Sequence, residues 1–104
     1  MRAEVLKGHL DALILAVVAD APLHGYAIIE ELKRRSVGSL SLPEGTVYPA
    51  LHRLEAAGLL SSAWSRGEGR RRRVYELTRR GERELGVRRG EWREFVKVVE
   101  AVMA

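Results

Sequence analysis

The 104-residue sequence predicts a mainly α-helical fold with one small β-hairpin. Three observations predict this class. Apolar residues recur every three or four positions in the early part of the chain, as on the buried face of a helix. Two short alternating segments then flank a glycine- and arginine-rich turn, and a long helical segment follows them. Three helices before a basic hairpin are typical of a winged helix-turn-helix, and we expect the last helix to pair two copies.

The composition is that of one soluble globular domain, with 46% apolar and 31% charged residues. We expect a winged helix-turn-helix region at 1–78, with its wing at 59–78, and a C-terminal dimerisation helix at 79–104. Cysteine is absent, which excludes disulfides and thiolate chemistry. No segment has the pattern of a membrane span or of a signal peptide, so we expect a cytoplasmic protein without a membrane partner.

Positive charge is concentrated in one part of the chain. The net charge is +4, yet the stretch from Arg66 to Arg93 holds eleven arginines against five glutamates. A well-solvated surface is the ordinary explanation of such a run. Here the run Arg70–Arg73 falls at the glycine-flanked tip of the predicted hairpin, which favours a polyanionic partner such as nucleic acid.

Apolar spacing predicts two helices before position 36. The first covers Val5 to Ala19 and ends at Asp20-Ala21-Pro22, because the residue before proline leaves helical geometry. The second starts near His24-Gly25 and runs to about Arg35, and its predicted buried residues are Tyr26, Ile29 and Leu32. A very short strand with Leu40 and Leu42 on one face is predicted to follow.

The third helix is predicted to run to Ala57 and to stop at Gly58, a good left-handed C-terminal residue. Its start is less certain. Ser41–Glu44 matches a capping box and would place the start at Leu42, but Pro49 would then lie deep inside the helix. We favour a start at Gly45 or Thr46. The predicted inward positions are Val47, Leu51 and Leu54, and the predicted outward positions are Thr46, Tyr48, His52, Arg53 and Glu55.

The two arms of the hairpin are predicted at Leu59–Ser65 and Arg71–Thr78, joined by 66–70. Thr78 is a suitable N-cap for a last helix from about Arg79 to Val102. This helix is polar up to Arg89 and apolar beyond it, so one end requires a partner. A short apolar seam of the heptad type is formed by three residues that lie seven positions apart, Leu85, Trp92 and Val99.

Three segments resemble the PadR family of bacterial transcriptional regulators. Leu23-His-Gly-Tyr26 with 28–32 resembles its second helix, 45–55 with Gly58-Leu-Leu60 resembles its recognition helix, and 72–78 with Gly81 resembles its second wing strand. Together they cover nearly the whole chain. The sequence departs from the family pattern at Glu44, which separates Pro43 from Gly45, and at Val74, where an aromatic is frequent. With one C-terminal helix, it is similar to the short members.

The resemblance implies a dimer that binds an inverted-repeat operator, usually as a repressor. The side chains expected at the DNA are Thr46, Tyr48, His52, Arg53, Arg70, Arg71, Arg72 and Arg73. The expected dimer interface comprises Leu6, Leu10, Leu13, Leu85, Trp92, Phe95, Val99 and Val102. For Tyr48, packing against the second helix is an alternative of equal weight to a DNA contact. For Arg53, the alternative to a DNA contact is an ion pair with a neighbouring glutamate. Some short members stack flat aromatic compounds on a central tryptophan, so a small aromatic effector at Trp92 is a further expectation, with interface core as the more ordinary role.

An enzyme is not expected. The sequence has no cysteine nucleophile, no glycine-rich phosphate loop and no recognisable Ser/His/Asp spacing. His9, His24 and His52 lie on three different predicted helices without metal-ligand spacing, so neither a metal nor another cofactor is expected. The alternative function is a winged-helix protein–protein interaction module, against which the basic hairpin argues.

Overall fold

The structure is a computed structural model that describes residues 1, 3–65 and 69–104, with nothing stated for the side chain of Ala3. It confirms the predicted fold class, a mainly helical winged-helix domain with a small antiparallel sheet. The helices are α1 (Ala3–Leu6), α2 (Leu10–Asp20), α3 (Gly25–Arg35), α4 (Glu44–Ala56) and α5 (Arg79–Met103). The strands are β1 (Leu23–His24), β2 (Leu60–Ser65) and β3 (Arg72–Leu77), in the order β1-β3-β2.

The first predicted helix is wrong in one respect, because it is split in two. Gly8 has a φ of 85°, a left-handed conformation that ends α1 and that only glycine adopts without strain. The amide of His9 donates to the carbonyl of Leu6 at 2.9 Å and closes this turn. The short α1 therefore ends at Leu6, and α2 begins separately at Leu10.

The strands also differ from the prediction. Leu23 and His24 pair with Tyr75 and Val74, which makes the predicted hairpin a three-stranded sheet. A two-residue strand carries no periodic signal, so the sequence could not predict it. The strand expected around Leu40 does not form, and Leu40 is buried from an irregular segment in which its amide donates to Ser36 Oγ at 2.8 Å.

Helix α4 begins at Glu44 with Pro43 as its N-cap, between the two starts weighed from the sequence. The capping-box start at Leu42 is wrong, and the favoured start lies slightly too late. Pro49 therefore lies in the second turn and leaves the Gly45 carbonyl without its helical donor, but Gly45 is exposed and water can hydrate it. Gly58 ends the helix as predicted, with a φ of 78°.

The core lies between α2, α3, α4 and the sheet, and no polar residue in the described part of the chain is buried. Helix α4 contributes the three inward residues that its pattern predicts. The burial of Tyr26 was predicted wrongly, since this side chain is 57% exposed. The buried stripe of α3 starts one residue earlier, so that the buried positions are Gly25, Ile28, Ile29 and Leu32.

Helix α5 is attached to the sheet at its first two turns. The Thr78 hydroxyl accepts from the Gly81 amide at 3.0 Å, as predicted for an N-cap, and donates to the Gly58 carbonyl at 2.6 Å. Leu85 is the last core residue. A 25-residue helix is about 37 Å long, and the molecule measures 53 Å along its longest axis against 29 and 20 Å along the others. None of the helices in the described ranges is both long and apolar enough to cross a membrane.

Candidate nucleic-acid interface

The outward face of α4 is a row of polar side chains beside the hairpin. Thr46 and His52 are exposed, and the side chain of Arg53 is 61% exposed. Their positions follow from the helical period, because burying Val47, Leu51 and Leu54 turns the intervening residues outward. The structure thus exposes Thr46, His52 and Arg53, whereas Tyr48 and Glu55, which the sequence also predicted to point outward, are half-buried.

Tyr48 is half-buried and packs against the start of α3. A Cβ atom at Gly25 would lie 2.7 Å from Cε1, Cζ and the hydroxyl oxygen of the Tyr48 ring. A larger residue at position 25 would displace the Tyr48 ring from this position between α3 and α4. The packing alternative for Tyr48 thus has a direct structural basis.

Arg53 forms an ion pair with α2. Its Nη2 atom donates to Asp11 Oδ1 at 2.8 Å, and the Asp11 side chain is 27% exposed. The expected alternative was a glutamate neighbour, so the partner is a carboxylate from a different helix. The pair is open to water, where it adds little to stability. It orients the guanidinium while leaving most of it accessible.

The four consecutive arginines of the hairpin differ in their surroundings. Arg70 is exposed at the bend before β3. Arg73 Nε donates to Ser62 Oγ at 2.8 Å, Arg73 Nη2 lies 3.8 Å from Glu55 Oε2, and the Ser62 hydroxyl donates to the same carboxylate at 2.6 Å. Glu55 belongs to α4. Arg73 therefore ties the hairpin to the helix, a role that the sequence did not indicate.

Arg72 faces His24 at the junction of β1 and α3. Arg72 Nη1 lies 2.8 Å from His24 Nε2, while His24 Nδ1 accepts from the Ala27 amide at 3.2 Å and caps α3. Neutral imidazole has one acceptor nitrogen, so the two contacts cannot both be full hydrogen bonds at once. Partial burial and then the charge of Arg72 lower the pKa of His24. The fold thereby favours the neutral imidazole beside the Arg72 guanidinium.

Trp64 lies on the same face of the hairpin as Arg71 and Arg73. The Cζ atoms of Arg71 and Arg73 lie 5.1 and 5.5 Å from the centre of its ring. The residues 66–68 of the hairpin turn lie outside the described residues, so the prediction for this turn remains untested in structure. The alternation of side chains along β2 predicted the place of Trp64 in the hairpin but no function for it. Its spacing from the arginine run across the hairpin was the available signal.

The side chains expected to form the dimer interface lie in three different surroundings. Leu85 does not belong there, because it is 4% exposed and packs in the core of its own chain. Leu6, Leu10 and Leu13 are partly buried against that core. The remaining expected residues, all on α5 beyond the core, are exposed or half-buried: Trp92, Phe95, Val99 and Val102.

Trp92 connects the start of the chain to α5. Its ring meets His9 edge-on at 5.4 Å between centroids and lies 5.9 Å from Phe95. The structure thus brings the two separate parts of the expected interface together. Trp92 lines neither the depression next to Arg80 and Arg83 of α5 nor the one between Leu10 and Thr46. Among the residues that the structure describes, no three His, Asp or Glu side chains lie close enough together to hold a metal ion.

The chain is similar to known regulators of transcription. The model of the "Transcriptional regulator PadR-like family" matches residues 14–87. "Transcriptional regulator Rv3488" of Mycobacterium tuberculosis is 46% identical over 68 residues, which span 65% of this chain and 61% of that protein. An uncharacterised protein of Lysinibacillus sphaericus is 28% identical over 99% of this chain and 95% of its own length.

Solved structures agree with these matches. A PadR family transcription regulator from Clostridium difficile superposes with a TM-score of 0.83 and 33% identity, over 93% of this chain and all of that one. A transcriptional regulator from Clostridium thermocellum gives 0.87 and 27%, over 95% of this chain and 97% of that one. Fold and surface therefore define a winged-helix protein of the transcription-regulator class. Within that class, the chain belongs to the PadR-like family.

Proposed function

We propose that the protein is a dimeric, sequence-specific DNA-binding regulator that represses transcription from an inverted-repeat operator. One observation carries the proposal: Arg73 connects the arginine-rich hairpin to Glu55 of α4, so the basic hairpin lies beside the outward face of this helix. A helix that fits the major groove beside a basic hairpin matches the shape and charge of duplex DNA.

On this surface α4 reads bases and the hairpin supplies affinity. His52 and Arg53 can reach base edges or phosphates, and Thr46 can donate to a phosphate or touch a thymine methyl group. Arg70, Arg71 and Arg72 lie against the phosphate backbone or enter the minor groove. Tyr48 acts mainly by holding α4 against Gly25, so it orients the reading helix.

Pairing of two copies follows from the geometry of DNA. Two reading helices enter successive major grooves about 34 Å apart, which requires a twofold dimer. The half-exposed apolar side chains of α5, together with Leu6, Leu10 and Leu13 next to them, supply the surface for this dimer. Sedimentation should show a dimer at micromolar concentration, and a stable monomer there would contradict this part of the proposal.

A mobility-shift titration tests DNA binding directly. The probe is the duplex upstream of the protein's own gene, with an unrelated duplex of equal length as comparison. Arg70→Ala and Arg72→Ala should weaken binding to both duplexes by a similar factor. Each substitution should also lower the slope of log K, the binding constant, against log salt concentration by about one. His52→Ala should instead reduce the preference for the upstream duplex.

Arg93→Ala is the matched control, because it removes the same charge from an exposed position on α5. It should leave the salt slope unchanged. If the native protein shifts neither duplex at low salt, the DNA proposal fails and a protein–protein interaction module takes its place.

The proposal includes a small aromatic effector that binds at Trp92 and releases the operator. The exposed indole next to Phe95 offers a flat apolar surface, which a second copy would turn into an enclosed site. Planar aromatic cations should quench the tryptophan fluorescence of Trp64→Phe, in which Trp92 is the remaining tryptophan, and should release the operator duplex. No quenching at millimolar concentration would remove the effector from the proposal.

A further inference from the structure

An exposed tryptophan of the hairpin lies close to two guanidinium groups. Trp64 is 53% exposed, although a side chain of this size buries more apolar surface than any other when the fold can enclose it. It pairs with Arg73 across the sheet, and it also lies near Arg71, which comes two residues before Arg73 and directly precedes β3. The core of the protein does not require this ring, and its surroundings are cationic.

The ring lies on the face of the hairpin that α4 also contacts. Side chains of β2 alternate, so Trp64 shares its face with Ser62 and with the buried Leu60. Ser62 donates to Glu55 of α4, and Arg73 is held by both. Trp64 therefore continues the α4 side of the sheet outward, at a fixed position relative to the reading helix.

Stacking on an aromatic ring leaves an arginine able to bind phosphate. A guanidinium that lies over a ring uses its planar face, so its N–H groups remain available at the edge. Arg34 and Arg35 differ from such arginines, because their N–H groups donate to a carboxylate. Glu31 accepts hydrogen bonds from both and neutralises part of their charge. Trp64 orients positive charge without cancelling it.

We propose that Trp64 and Arg71 act as one contact to the sugar–phosphate backbone of duplex DNA, with Arg73 anchoring them to α4. In this contact Trp64 positions the Arg71 guanidinium and places its indole against a deoxyribose. The inference rests on the proposed DNA binding. It makes an aromatic side chain, in addition to the arginines, part of the affinity of the hairpin for any duplex.

Fluorescence locates the contact. Trp64 and Trp92 are the two tryptophans of the chain, so Trp64→Phe leaves the signal of Trp92 alone. Adding duplex to the wild-type protein should change the emission intensity, saturating at the stoichiometry found by mobility shift. The same addition should leave Trp64→Phe largely unchanged. Equal changes in both proteins would place the signal at Trp92 and overturn the proposal.

Substitutions measure the contribution of the ring. Trp64→Ala should weaken binding to specific and unrelated duplexes by about 5- to 30-fold, as expected for the loss of two cation–aromatic contacts. Trp64→Phe keeps an aromatic face and should lose no more than about threefold. Thermal unfolding of both variants checks that the fold persists. Because the replaced side chain is exposed, we expect their melting temperatures to stay close to that of the wild-type protein. Wild-type affinity for Trp64→Ala would overturn the proposal.

A double-substitution cycle tests whether Trp64 acts through Arg71. If the ring positions this guanidinium, the double variant Trp64→Ala/Arg71→Ala should lose less affinity than the product of the two single losses. Independent, multiplicative losses would show that the two side chains do not form one contact. Failure of the wild-type protein to bind any duplex is a separate result, which removes the proposed function itself.

Discussion

The body of the protein, residues 10–85, and its distal segment, residues 86–104, differ in whether their apolar side chains are buried. The body encloses apolar side chains from α2, α3, α4 and β3, several of them completely. In the distal segment, every residue of which the structure describes, no side chain is buried, and Trp92 and Phe95 are about half exposed. The body is stabilised by its own packing. The distal segment carries apolar surface that an isolated helix cannot cover.

Glycines on α5 show the same contrast. A Cβ atom at Gly81, in the body, would lie 2.1 Å from the carbonyl oxygen of Leu59. At Gly86 and Gly90, in the distal segment, it would meet no atom within 4 Å. The first glycine permits close contact between α5 and the sheet, whereas the other two serve no packing purpose within the chain.

The largest effect is expected for Gly81→Ala. The added methyl group meets backbone, which cannot move aside as a side chain could, so the start of α5 must shift. We expect the free energy of unfolding to fall by about 3 kcal/mol, measured by urea denaturation. A loss below about 0.5 kcal/mol would show that the body tolerates movement of α5 and would weaken the contrast.

The next effect concerns association. Phe95→Ser removes apolar surface from the distal segment and should raise the dissociation constant of the dimer by about 10- to 100-fold, as for a central interface residue. Lys97→Ser, at an exposed polar position nearby, is the matched control and should leave it unchanged. Sedimentation equilibrium measures both. If Phe95→Ser stays fully dimeric at low micromolar concentration, the distal segment does not hold the two copies together.

Gly86→Ala and Gly90→Ala should stabilise the protein. Both residues lie inside a helix with open space around them, where alanine is favoured over glycine by up to about 1 kcal/mol each. A small rise in melting temperature is expected from each. A fall would show that a second copy approaches these positions closely, which would also explain why they are glycine.

The smallest effect is a pH dependence within the body. Since the folded protein lowers the pKa of His24, its neutral form is favoured in the fold. This contribution is complete above the ordinary value of 6.5 and is lost as pH falls below it. His24→Asn keeps a side-chain acceptor for the Ala27 amide without titrating, so its stability should vary less between pH 7.5 and 5.5. An identical pH profile for both proteins would contradict the prediction.

Glu31 titrates in a separate range. Hydrogen bonds from Arg34 and then Arg35 lower the pKa of Glu31 from 4.5 to about 2. The depressed value means that its contribution is present above pH 4.5 and is lost as pH falls toward 2. Measurements between pH 7.5 and 5.5 therefore report on His24 without interference from this carboxylate.

Much of the fold could be predicted from local pattern. The buried face of α4, the glycine stop at Gly58 and the Thr78 cap depend on interactions within a few residues of each other, so spacing was sufficient. The paired strand Leu23–His24 was missed, because its partner lies some fifty positions away and two residues have no period. Tyr26 was misplaced because the buried stripe that contains Ile29 and Leu32 begins at Gly25, and neighbouring positions on a helix point about 100° apart.

The candidate interface divides in the same way. Which side chains of α4 point outward, and that the hairpin is basic, could be predicted from the sequence, since helical period and charge are local properties. Tertiary structure alone decided what each of those side chains contacts. Asp11 reaches Arg53, Glu55 holds Arg73, and the body encloses Leu85. Such contacts depend on how separate elements pack, and the spacing of residues along the chain carries no direct record of that packing.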